Sequence, residues 1–427
     1  GYDGHYFWDT EIYILPFFLY SQPAMARKLL EYRHHILDAA RQRARELAIN
    51  KGALFPWRTI GGEECSAYYP AGTAQYHINA DIAYAVKRYF EATGDAEFMR
   101  DFGAEIVLES ARLWIELGSY DREGGFCLNT VTGPDEYTAL VNNNFYTNVM
   151  ARVHLNYACE VYHWLKNTSP ETAQQLYNAL GLDEHEPIEW LRAASKMVVL
   201  FDETQGIHAQ DDSFLDKKVW DFDATPEEHY PLLLNYHPLV IYRHQVCKQA
   251  DVMLGLFLCG DEFSLAQKKR DFDYYEPITT HDSTLSACIH SIIASEVGYT
   301  DKAQDYFRQV ARMDLDNHHN NTQYGVHTAC MGGAWMCIVN GFGGMRIDGQ
   351  VLRFDPYLPE GMEGYRFCIT FNGRVIEVDV GDPDGKPQPG IIKGAAAGRA
   401  GADEVRYRLV SGECINISHR GEPLLLS

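Results

Sequence analysis

The chain has 427 residues, of which 46% are hydrophobic and 13% aromatic. This composition, without any low-complexity tract, predicts a globular protein with one large domain or two to three ordinary ones. The formal net charge of -22 argues against a nucleic acid or an anionic membrane as partner, because either would favour a basic surface. It does not argue against one small anion, which needs only local donors.

Ten cysteines are scattered along the chain, without a CxxC pair or a zinc-ligand spacing. Several stand among apolar residues, which is typical of buried free thiols in a reducing cytoplasm. The sequence shows no signal peptide and no long apolar run, so we expect a cytoplasmic protein without a membrane span. Because the chain starts at Gly1 without a Met, inside a functional-looking segment, we expect an N-terminal truncation.

Helical periodicity dominates the first 345 residues. A long loop is expected at 51–72, and loops of this length tend to be functional. After Arg346 the pattern alternates or favours β-branched residues, as at 351–354, 367–371 and 375–380, which predicts strands. The predicted helices cover residues 11–19, 24–49, 75–93, 96–118, 144–166, 171–200, 252–258, 284–297, 301–314 and 329–340.

These helices follow one another in pairs, and polar motifs recur in the loops between them. No self-similarity of about 34 or 40 residues is present, which argues against a solenoid of regular repeats. A closed toroid whose loops converge at one mouth fits better. We predict a mainly α protein with an (α/α)6 barrel at residues 1–345, N-terminally truncated because fewer helices are predicted than the barrel needs. A small C-terminal β-sandwich region is expected at 346–427.

An acidic loop is predicted in the stretch Thr132-Gly133-Pro134-Asp135-Glu136-Tyr137. Gly-Pro cannot continue a helix, because proline lacks an N–H and disfavours helical geometry in the residue before it. Asp135 and Glu136 are therefore presented on a turn, and the asparagines at 142–144 add amide groups and an N-cap for the next helix. Such a loop could hold a polyhydroxylated ligand. The alternative is a turn whose Asp caps a helix and whose Glu is solvated.

Two further stretches place apolar and polar groups side by side. Trp8 next to Asp9 gives a flat apolar face beside a charged acceptor, which suits a pyranose ring and its hydroxyls. A buried Trp beside a capping Asp is the alternative. Lys248 and Gln249 stand next to the apolar stretch 252–258, where a solvated Lys is unexpected.

Six motifs resemble, in the right order, the motif series of glycoside hydrolase family 65. The resemblance extends from Gly1 to about Arg346. The family contains inverting α-glucoside phosphorylases for maltose, kojibiose, nigerose and trehalose, and its members usually begin with a β-sandwich and a helical linker that are missing here. The motifs are Phe7-Trp8-Asp9-Thr10-Glu11, Gly133-Pro134-Asp135-Glu136-Tyr137, Asn142-Asn143-Asn144-Phe145-Tyr146-Thr147-Asn148, Lys248-Gln249-Ala250-Asp251, His281-Asp282-Ser283-Thr284-Leu285-Ser286 and Gly325-Val326-His327-Thr328-Ala329-Cys330-Met331-Gly332-Gly333.

The resemblance implies that Glu136 is the catalytic acid. Inverting cleavage of a glycosidic bond needs a protonated carboxyl at the leaving oxygen and a nucleophile on the opposite face of the ring. A water nucleophile also needs a carboxylate base, whereas inorganic phosphate is already an anion and needs only donors. Burial against Tyr137 and Phe145 would favour the protonated acid. Asp135 is expected to orient the loop or bind a hydroxyl, and an exchange of roles between the two carboxyls is the alternative.

The resemblance also implies the ligand contacts. The residues expected to hold the glucosyl unit are Trp8, Asp9, Lys248, Gln249, Asp135 and Tyr137. Asp9 and Lys248 can then offset each other's buried charge. Hydroxyls and N–H groups at a helix start suit an anion, although close helix packing is the alternative for the small residues at 332–334. The residues expected to hold phosphate are Ser283, Thr284, His327, Thr328, Gly332 and Gly333.

These features favour phosphorolysis of an α-linked glucose disaccharide, giving β-glucose 1-phosphate and the acceptor sugar. Phosphate is expected as a co-substrate, with no metal and no organic cofactor, and a homodimer is compatible with the family. One alternative is an inverting hydrolase, which would need a base such as Glu276 or Asp282. Another is a catalytically silent carbohydrate-binding protein. Acceptor specificity is expected to depend on 57–69, 138–140 and 236–242.

Overall fold

The structure of the chain is a computed structural model, which describes residues 4–66, 70–349, 351–381, 392–394, 405–412 and 414–426. It divides into two compact units, each formed by separate stretches of chain. In the described stretches, no helix combines the length and the apolar character that a membrane span requires. The first unit consists of Gly1–Ile12, Lys28–Lys87 and Asp95–Ser286, and the second of Tyr13–Arg27, Arg88–Gly94 and Ala287–Ser427.

Helices account for most of the described chain before residue 345, so the predicted mainly helical character is confirmed. Among the described residues, π-helical segments lie at Thr10–Ile14, Met99–Gly103 and Cys337–Phe342. The α-helices are α1 (Leu15–Ser21), α2 (Pro23–His35), α3 (Leu37–Glu46), α4 (Pro70–Thr73), α5 (Ile78–Thr93), α6 (Ala96–Phe98), α7 (Ala104–Leu117), α8 (Phe145–Thr168), α9 (Pro170–Leu180), α10 (Glu186–Lys196), α11 (Leu232–Asn235), α12 (Pro238–Ile241), α13 (Val252–Leu258), α14 (Leu265–Tyr275), α15 (Ser286–Val297), α16 (Thr300–Arg312) and α17 (Thr328–Met336).

The ends of the long helix α8 follow from its sequence. Asn144 is the N-cap, because its side-chain oxygen accepts hydrogen bonds from the Thr147 N–H at 2.9 Å and from the Thr147 hydroxyl at 2.7 Å. At the other end, Pro170 starts α9, since proline fits the first turn of a helix but cannot continue the preceding one. The predicted cap and the predicted helix at 144–166 are both confirmed.

Two predicted helices are each divided in the structure. The segment 171–200 contains α9 and α10, because Gly181 takes a left-handed conformation at φ +59° and ends α9. The segment 24–49 contains α2 and α3, with Ile36 at φ −95° and ψ 7° between them. The break between α9 and α10 covers residues 181–185, and the break between α2 and α3 is the single residue Ile36. The prediction followed the apolar periodicity and therefore joined the helices across both breaks.

Helix α14 is not predicted by the sequence pattern, because most of its residues are polar. Its N-cap Ser264 accepts a hydrogen bond from the Gln267 N–H at 3.2 Å. Asp271 on this helix is fully buried and accepts hydrogen bonds of 2.8 Å from the backbone N–H and from the ring Nδ1 of His208. Buried polar contacts, in addition to an apolar face, therefore hold this helix in place.

The segments between helices of the first unit contain short strands, which pair two by two. Strands β1 and β2 are antiparallel, β3 and β4 are antiparallel, and β5 and β6 are parallel. Their bounds are β1 (Ser119–Tyr120), β2 (Phe126–Cys127), β3 (Phe201–Asp202), β4 (Ile207–His208), β5 (Lys218–Val219) and β6 (His244–Gln245).

In the part of the second unit that the structure describes, the strands form two four-stranded sheets, with strand orders β11-β12-β10-β9 and β14-β13-β8-β7. Phe354 of one sheet and Tyr407 of the other have ring centroids 5.5 Å apart, and the Tyr407 hydroxyl shares a 2.7 Å hydrogen bond with His419 Nδ1. Because these side chains are buried between the sheets, the predicted C-terminal β-sandwich is confirmed. The strands are β7 (Arg346–Asp348), β8 (Val351–Phe354), β9 (Gly364–Phe371), β10 (Arg374–Gly381), β11 (Ile392–Gly394), β12 (Val405–Ser411), β13 (Ile415–His419) and β14 (Glu422–Leu426).

The predicted domain limits, 1–345 and 346–427, stay a prediction. The compact units follow a different division, since the second unit contains α16 and α17 together with the sheets.

Candidate active site

The acidic loop is closed by a short antiparallel bridge. Val131 and Val141 exchange backbone hydrogen bonds of 2.9 and 2.8 Å, so the residues between them form a loop with adjacent ends. Thr132 adds two contacts: its N–H donates to the Ala74 carbonyl at 3.0 Å, and its hydroxyl accepts from the Leu140 N–H at 3.2 Å. The loop that carries both candidate carboxyls is therefore fixed to the body of the first unit.

Close packing requires the glycine at position 133. A Cβ there would lie 2.2 Å from Asp251 Oδ2 and 2.5 Å from Asn144 Nδ2. These two atoms are themselves hydrogen-bonded at 2.9 Å, and both side chains are buried. Burial raises the pKa of Asp251 well above its usual range. The backbone at Gly133 therefore rests directly on a buried polar pair.

The three asparagines after the loop fix local geometry. Asn142 Oδ1 accepts from the Thr130 N–H at 3.1 Å, and Asn143 Oδ1 accepts from the Leu128 N–H at 3.2 Å. Together with the cap at Asn144, these contacts use the amides to hold backbone in place. The sequence suggested instead that they could face a ligand.

Asp135 is fully buried and accepts three hydrogen bonds. Its Oδ1 accepts from the backbone N–H groups of Tyr137 at 3.2 Å and Lys248 at 2.7 Å, and its Oδ2 accepts from Gln210 Nε2 at 2.9 Å. Burial raises the pKa of Asp135 to about 6, although the hydrogen bonds favour the ionised form. Asp135 thus links the acidic loop to the segment that carries Lys248, as an orienting residue would.

Tyr137 is packed into a buried apolar cluster with Trp220 and Leu232. Its hydroxyl donates to Asp282 Oδ2, which also accepts from the Leu232 N–H at 3.0 Å. Burial, followed by the charge of Asp282, raises the pKa of Tyr137 well above its usual value. The expected contact between Tyr137 and a sugar stays a prediction.

A cavity of about 270 Å³ in the first unit brings together residues from distant parts of the chain. The candidate acid and five further residues expected at the site line it: Glu136, Trp8, Asp9, Lys248, Gln249 and Ser283. The other lining residues are Phe7, Trp57, Arg58, Gln75, Pro134 and Leu285.

Glu136 contacts one cation and one amide in this cavity. Its Oε2 lies 2.5 Å from Lys248 Nζ, and its Oε1 accepts from Gln75 Nε2 at 3.4 Å. The side chains of Glu136 and Lys248 are 14% and 22% exposed, so the ion pair is shielded from solvent yet open to the cavity. The sequence analysis paired Lys248 with Asp9, whereas the direct contact in the structure is with Glu136.

Trp8 and Asp9 form another part of the cavity wall. Trp8 is 3% exposed and packs edge-on against His77, with ring centroids 4.9 Å apart. It is therefore a core residue as well as a wall residue. Burial raises the pKa of Asp9 to about 7, and the charges of Glu136 and Glu11 act in the same direction. Asp9 thus changes its charge near neutral pH.

A backbone bridge explains how Ser283 reaches the cavity. The Cys247 N–H donates to the Ile278 carbonyl at 2.9 Å, and the Thr280 N–H donates to the Cys247 carbonyl at 2.8 Å. Because of this parallel pairing, the residues that follow Thr280 lie beside the segment that contains Lys248. Thr284, the next residue along the chain, is buried and is not among the residues that line the cavity.

Gln249 is tied directly to the acidic loop. Its Nε2 donates to the Pro134 carbonyl at 2.7 Å, and its side chain is buried. The cavity wall at Gln249 and Pro134 is therefore cross-linked by one hydrogen bond.

His327 and Thr328, also expected at the phosphate site, belong to the second unit. His327 is buried, its Nδ1 lies 2.6 Å from Asp314 Oδ1, and its N–H donates to Asp314 Oδ2 at 2.8 Å. Burial alone would raise the pKa of Asp314, but the contacts with His327 outweigh it and lower that pKa. Thr328 is exposed and starts α17. Their contact with phosphate stays a prediction.

The two glycines expected at the phosphate site also lie in the second unit, and both are required for packing. A Cβ at Gly332 would lie 2.2 Å from the Tyr13 carbonyl oxygen, and one at Gly333 would lie 2.9 Å from Cys288. Both glycines therefore serve close packing, and their contact with phosphate stays a prediction.

Sequence reasoning missed Gln75, whose amide contacts the candidate acid. It stands before α5 in the stretch Gln75-x-His77-x-x-x-Asp81. His77 and Asp81 share a helix face at spacing i, i+4, and this polar pair at a helix start was the available signal. Arg58, which also lines the cavity, was not singled out, although it lies in the segment 57–69 that was expected to contact the acceptor.

The loop expected to contact the acceptor is described only in part. Trp57 from this loop lines the cavity, whereas residues 67–69 lie outside the described residues. The described part of the chain holds no group of three or more His, Cys, Asp or Glu side chains placed to bind a metal ion.

Comparison with known proteins identifies the class. Residues 1–336 match the glycosyl hydrolase family 65 central catalytic domain, and residues 345–385 match the C-terminal domain of that family. The chain therefore belongs to glycosyl hydrolase family 65.

Particular relatives can be named. An α,α-trehalose phosphorylase from Geobacillus stearothermophilus is 54% identical over 89% of the chain, and a kojibiose phosphorylase from Halothermothrix orenii is 40% identical over 89%. The solved structure of a putative kojibiose phosphorylase from the human microbiome aligns with all of the chain, with a TM-score of 0.88 and 32% identity. The chain covers 50%, 50% and 54% of these proteins, so it spans about half their length. The predicted (α/α)6 barrel fits this family.

Proposed function

We propose that this protein catalyses the inverting phosphorolysis of an α-linked glucose disaccharide. The observation that carries the proposal is the shared cavity of the first unit, in which Glu136 meets Trp8, Asp9, Lys248 and Ser283. These residues come from four separate stretches of chain. Two of the relatives named above are phosphorylases of α-linked glucose disaccharides, which supports the same reaction class.

In the proposed reaction, Glu136 donates its proton to the glycosidic oxygen as the bond to glucose C1 breaks. A phosphate oxygen attacks C1 from the opposite face of the ring and forms the new C1–O bond. The products are β-glucose 1-phosphate and the acceptor sugar. No base is required, because the nucleophile is already an anion.

In this proposal, Lys248 makes the ability of Glu136 to carry the catalytic proton depend on the bound substrate. Its ammonium group donates to Glu136 Oε2 at 2.5 Å, so in this arrangement that oxygen is an acceptor. When a glucosyl hydroxyl takes over the Lys248 N–H groups, Oε2 can carry the proton that the leaving group needs. Asp9 accepts hydrogen bonds from the same sugar, and Trp8 faces the ring.

Phosphate is proposed as a co-substrate that Ser283 meets at the cavity wall. Thr284, His327, Thr328 and the glycines at 332–333 are proposed as further ligands, from the family resemblance. Asp135 and Tyr137 are proposed to support the loop that carries Glu136. No metal and no organic cofactor is needed for these steps.

The proposed donor is α,α-trehalose. The trehalose phosphorylase is 54% identical to the chain, against 40% for the kojibiose phosphorylase. Which acceptor fits depends on the cavity wall opposite the glucosyl unit, where Trp57 and Arg58 are the candidate contacts.

Hydrolysis is the competing reaction, and it would need a second carboxyl as base. The sequence offered Glu276 and Asp282 as candidates, and Glu276 does not line the cavity. Asp282 accepts hydrogen bonds from the Tyr137 hydroxyl and the Leu232 N–H. It is not among the residues that line the cavity, which disfavours this role.

The experiment is a panel of α-linked glucobioses incubated with and without inorganic phosphate. The proposal predicts turnover only with phosphate, fastest for α,α-trehalose. Glucose release that is independent of phosphate would contradict phosphorolysis, and sugar binding without any turnover would indicate a silent binding protein. Preference for another linkage would contradict only the choice of donor.

A further inference from the structure

A series of buried polar side chains runs from the candidate acid into the core of the first unit. Gln75 Nε2 donates to Glu136 Oε1 at 3.4 Å, and Gln75 Oε1 lies 3.2 Å from His77 Nε2. His77 Nδ1 lies 2.7 Å from Asp81 Oδ2, and Asp81 Oδ1 accepts from the Tyr146 hydroxyl at 2.8 Å. Gln75 is 3% exposed, and His77 and Asp81 are fully buried.

A second contact fixes the orientation of the Gln75 amide. Its Nε2 also donates to the Ala71 carbonyl at 3.1 Å. In the reversed orientation, the amide oxygen would face this carbonyl and the Glu136 carboxylate, three acceptors without a hydrogen between them. Gln75 Oε1 therefore faces His77, and His77 Nε2 must carry a hydrogen.

The same reasoning locates the protons of His77 and Asp81. A neutral imidazole carries one hydrogen, which here is on Nε2, while Nδ1 faces a carboxylate oxygen that can only accept when ionised. One further proton must therefore lie between Nδ1 and Asp81 Oδ2, so the pair has no net charge. In a catalytic His–Asp pair the hydrogen is on Nδ1 and Nε2 is the base. His77 is arranged in the opposite way and can only donate towards the acid.

We infer that His77 and Asp81 are positioning residues that act through Gln75 to determine which oxygen of Glu136 carries the catalytic proton. In the structure both oxygens accept, Oε1 from Gln75 and Oε2 from Lys248. Once the sugar has taken over the Lys248 N–H groups, as proposed above, Oε2 can carry the proton while Oε1 still accepts from Gln75. His77 holds the amide in this orientation by donating to its oxygen. The inference rests on the proposed role of Glu136 as the acid.

The test uses two glucosyl donors that differ in their need for a proton. The disaccharide leaves as an alcohol and must be protonated, whereas α-glucosyl fluoride leaves as fluoride ion. In both reactions phosphate attacks C1 and β-glucose 1-phosphate forms. A residue that positions the acid therefore affects the disaccharide alone.

Gln75→Leu is expected to lower kcat for the disaccharide about 10- to 100-fold, part of the usual contribution of general acid catalysis, with KM nearly unchanged. Turnover of α-glucosyl fluoride should stay within about threefold of the unmodified protein. His77→Phe is expected to behave in the same way. Because His77 acts through Gln75, the double variant should lose no more than Gln75→Leu alone.

Asp81 allows a conservative substitution that separates the positioning role from a purely structural role. Asp81→Ala should resemble His77→Phe, whereas Asp81→Asn should restore most of the activity. The new amide N–H can donate to His77 Nδ1, which leaves the hydrogen on Nε2, and the amide oxygen can accept from Tyr146. A His–Asp pair of the catalytic type would instead lose about 10⁴-fold on this substitution.

His154→Gln is the matched control, since His154 is also buried and accepts a hydrogen bond from Trp114 Nε1 at 2.9 Å. This variant should have a lower melting temperature, but the ratio of its kcat for the disaccharide to its kcat for α-glucosyl fluoride should not change. Equal losses on both donors in Gln75→Leu would overturn the inference, as would a loss in Asp81→Asn as large as in His77→Phe. If His77→Phe does not fold, Gln75→Leu and Asp81→Asn still decide the question. No phosphate-dependent turnover by the unmodified protein would overturn the inference and the proposed function together.

Discussion

Glu136 divides its two carboxyl oxygens between Lys248 and Gln75, and all three residues line the same cavity. Asp135, one residue earlier, is instead held by three donors outside the cavity. The neighbouring carboxyls therefore have separate roles in this account.

Replacement of Glu136 by Gln should lower kcat for the disaccharide by about 10²- to 10⁴-fold, because the acid contributes about that much. Steady-state kinetics with phosphate would measure the loss. Asp135→Asn is the comparison: it should reduce stability, and its turnover should fall for both α-glucosyl fluoride and the disaccharide. Near-normal turnover in Glu136→Gln would remove the assignment.

Asp9 predicts a pH dependence of sugar binding. Its pKa is raised to about 7, so the carboxyl is protonated below that pH and ionised above it. An ionised carboxylate is the better acceptor for glucosyl hydroxyls, and glucose should therefore bind more tightly as pH rises. Between pH 6 and 8 the ionised fraction rises about tenfold, which sets the expected change in Kd.

Titration calorimetry at several pH values would measure this change, with Asp9→Asn as the control. The variant should bind weakly and show no such increase between pH 6 and 8. An identical pH dependence in both proteins would assign the titration to another group.

At the scale of elements, the acidic loop depends on a position that admits no side chain. Gly133→Ala should destabilise the protein by about 1–3 kcal/mol, because the new Cβ would overlap the Asn144–Asp251 pair. Turnover should also fall as the loop moves. Gly61→Ala is the matched control, since its nearest neighbour would be a side-chain oxygen at 3.7 Å. Urea unfolding of both variants would test this, and equal stabilities would contradict it.

Helix α17, in the second unit, also contains glycines whose replacement by a larger residue would cause a steric overlap. At Gly332 the added Cβ would meet a backbone oxygen at 2.2 Å, whereas at Gly333 it would meet a side chain at 2.9 Å. A side chain can move aside more easily than backbone, so Gly332→Ala should lower the melting temperature more than Gly333→Ala. Differential scanning calorimetry would measure both, and the reverse order would contradict the packing argument.

The helices also show what a sequence can and cannot reveal. Periodicity and the Asn144 cap located α8, because both signals are local. The break at 181–185 was missed, because the prediction followed the apolar periodicity and not the glycine that ends α9. Helix α14 was missed because its buried Asp271 is satisfied by His208, which lies far away in the chain.

At the scale of the whole molecule, residues from three separate motifs come together, because Trp8, Asp9, Glu136 and Lys248 line one cavity. The connection from Glu136 through Gln75 to His77 could not be predicted. A buried polar contact depends on which residues folding brings together, and no local pattern encodes that pairing. The residues expected at the phosphate site are divided between the two compact units, and their common site stays a prediction.

The most direct test of the central claim is proton NMR of the first product formed from α,α-trehalose and inorganic phosphate. The account predicts β-glucose 1-phosphate, formed in the same amount as the glucose that is released from the acceptor position and as the phosphate that is consumed. α-Glucose 1-phosphate, or glucose formed without consumption of phosphate, would contradict it.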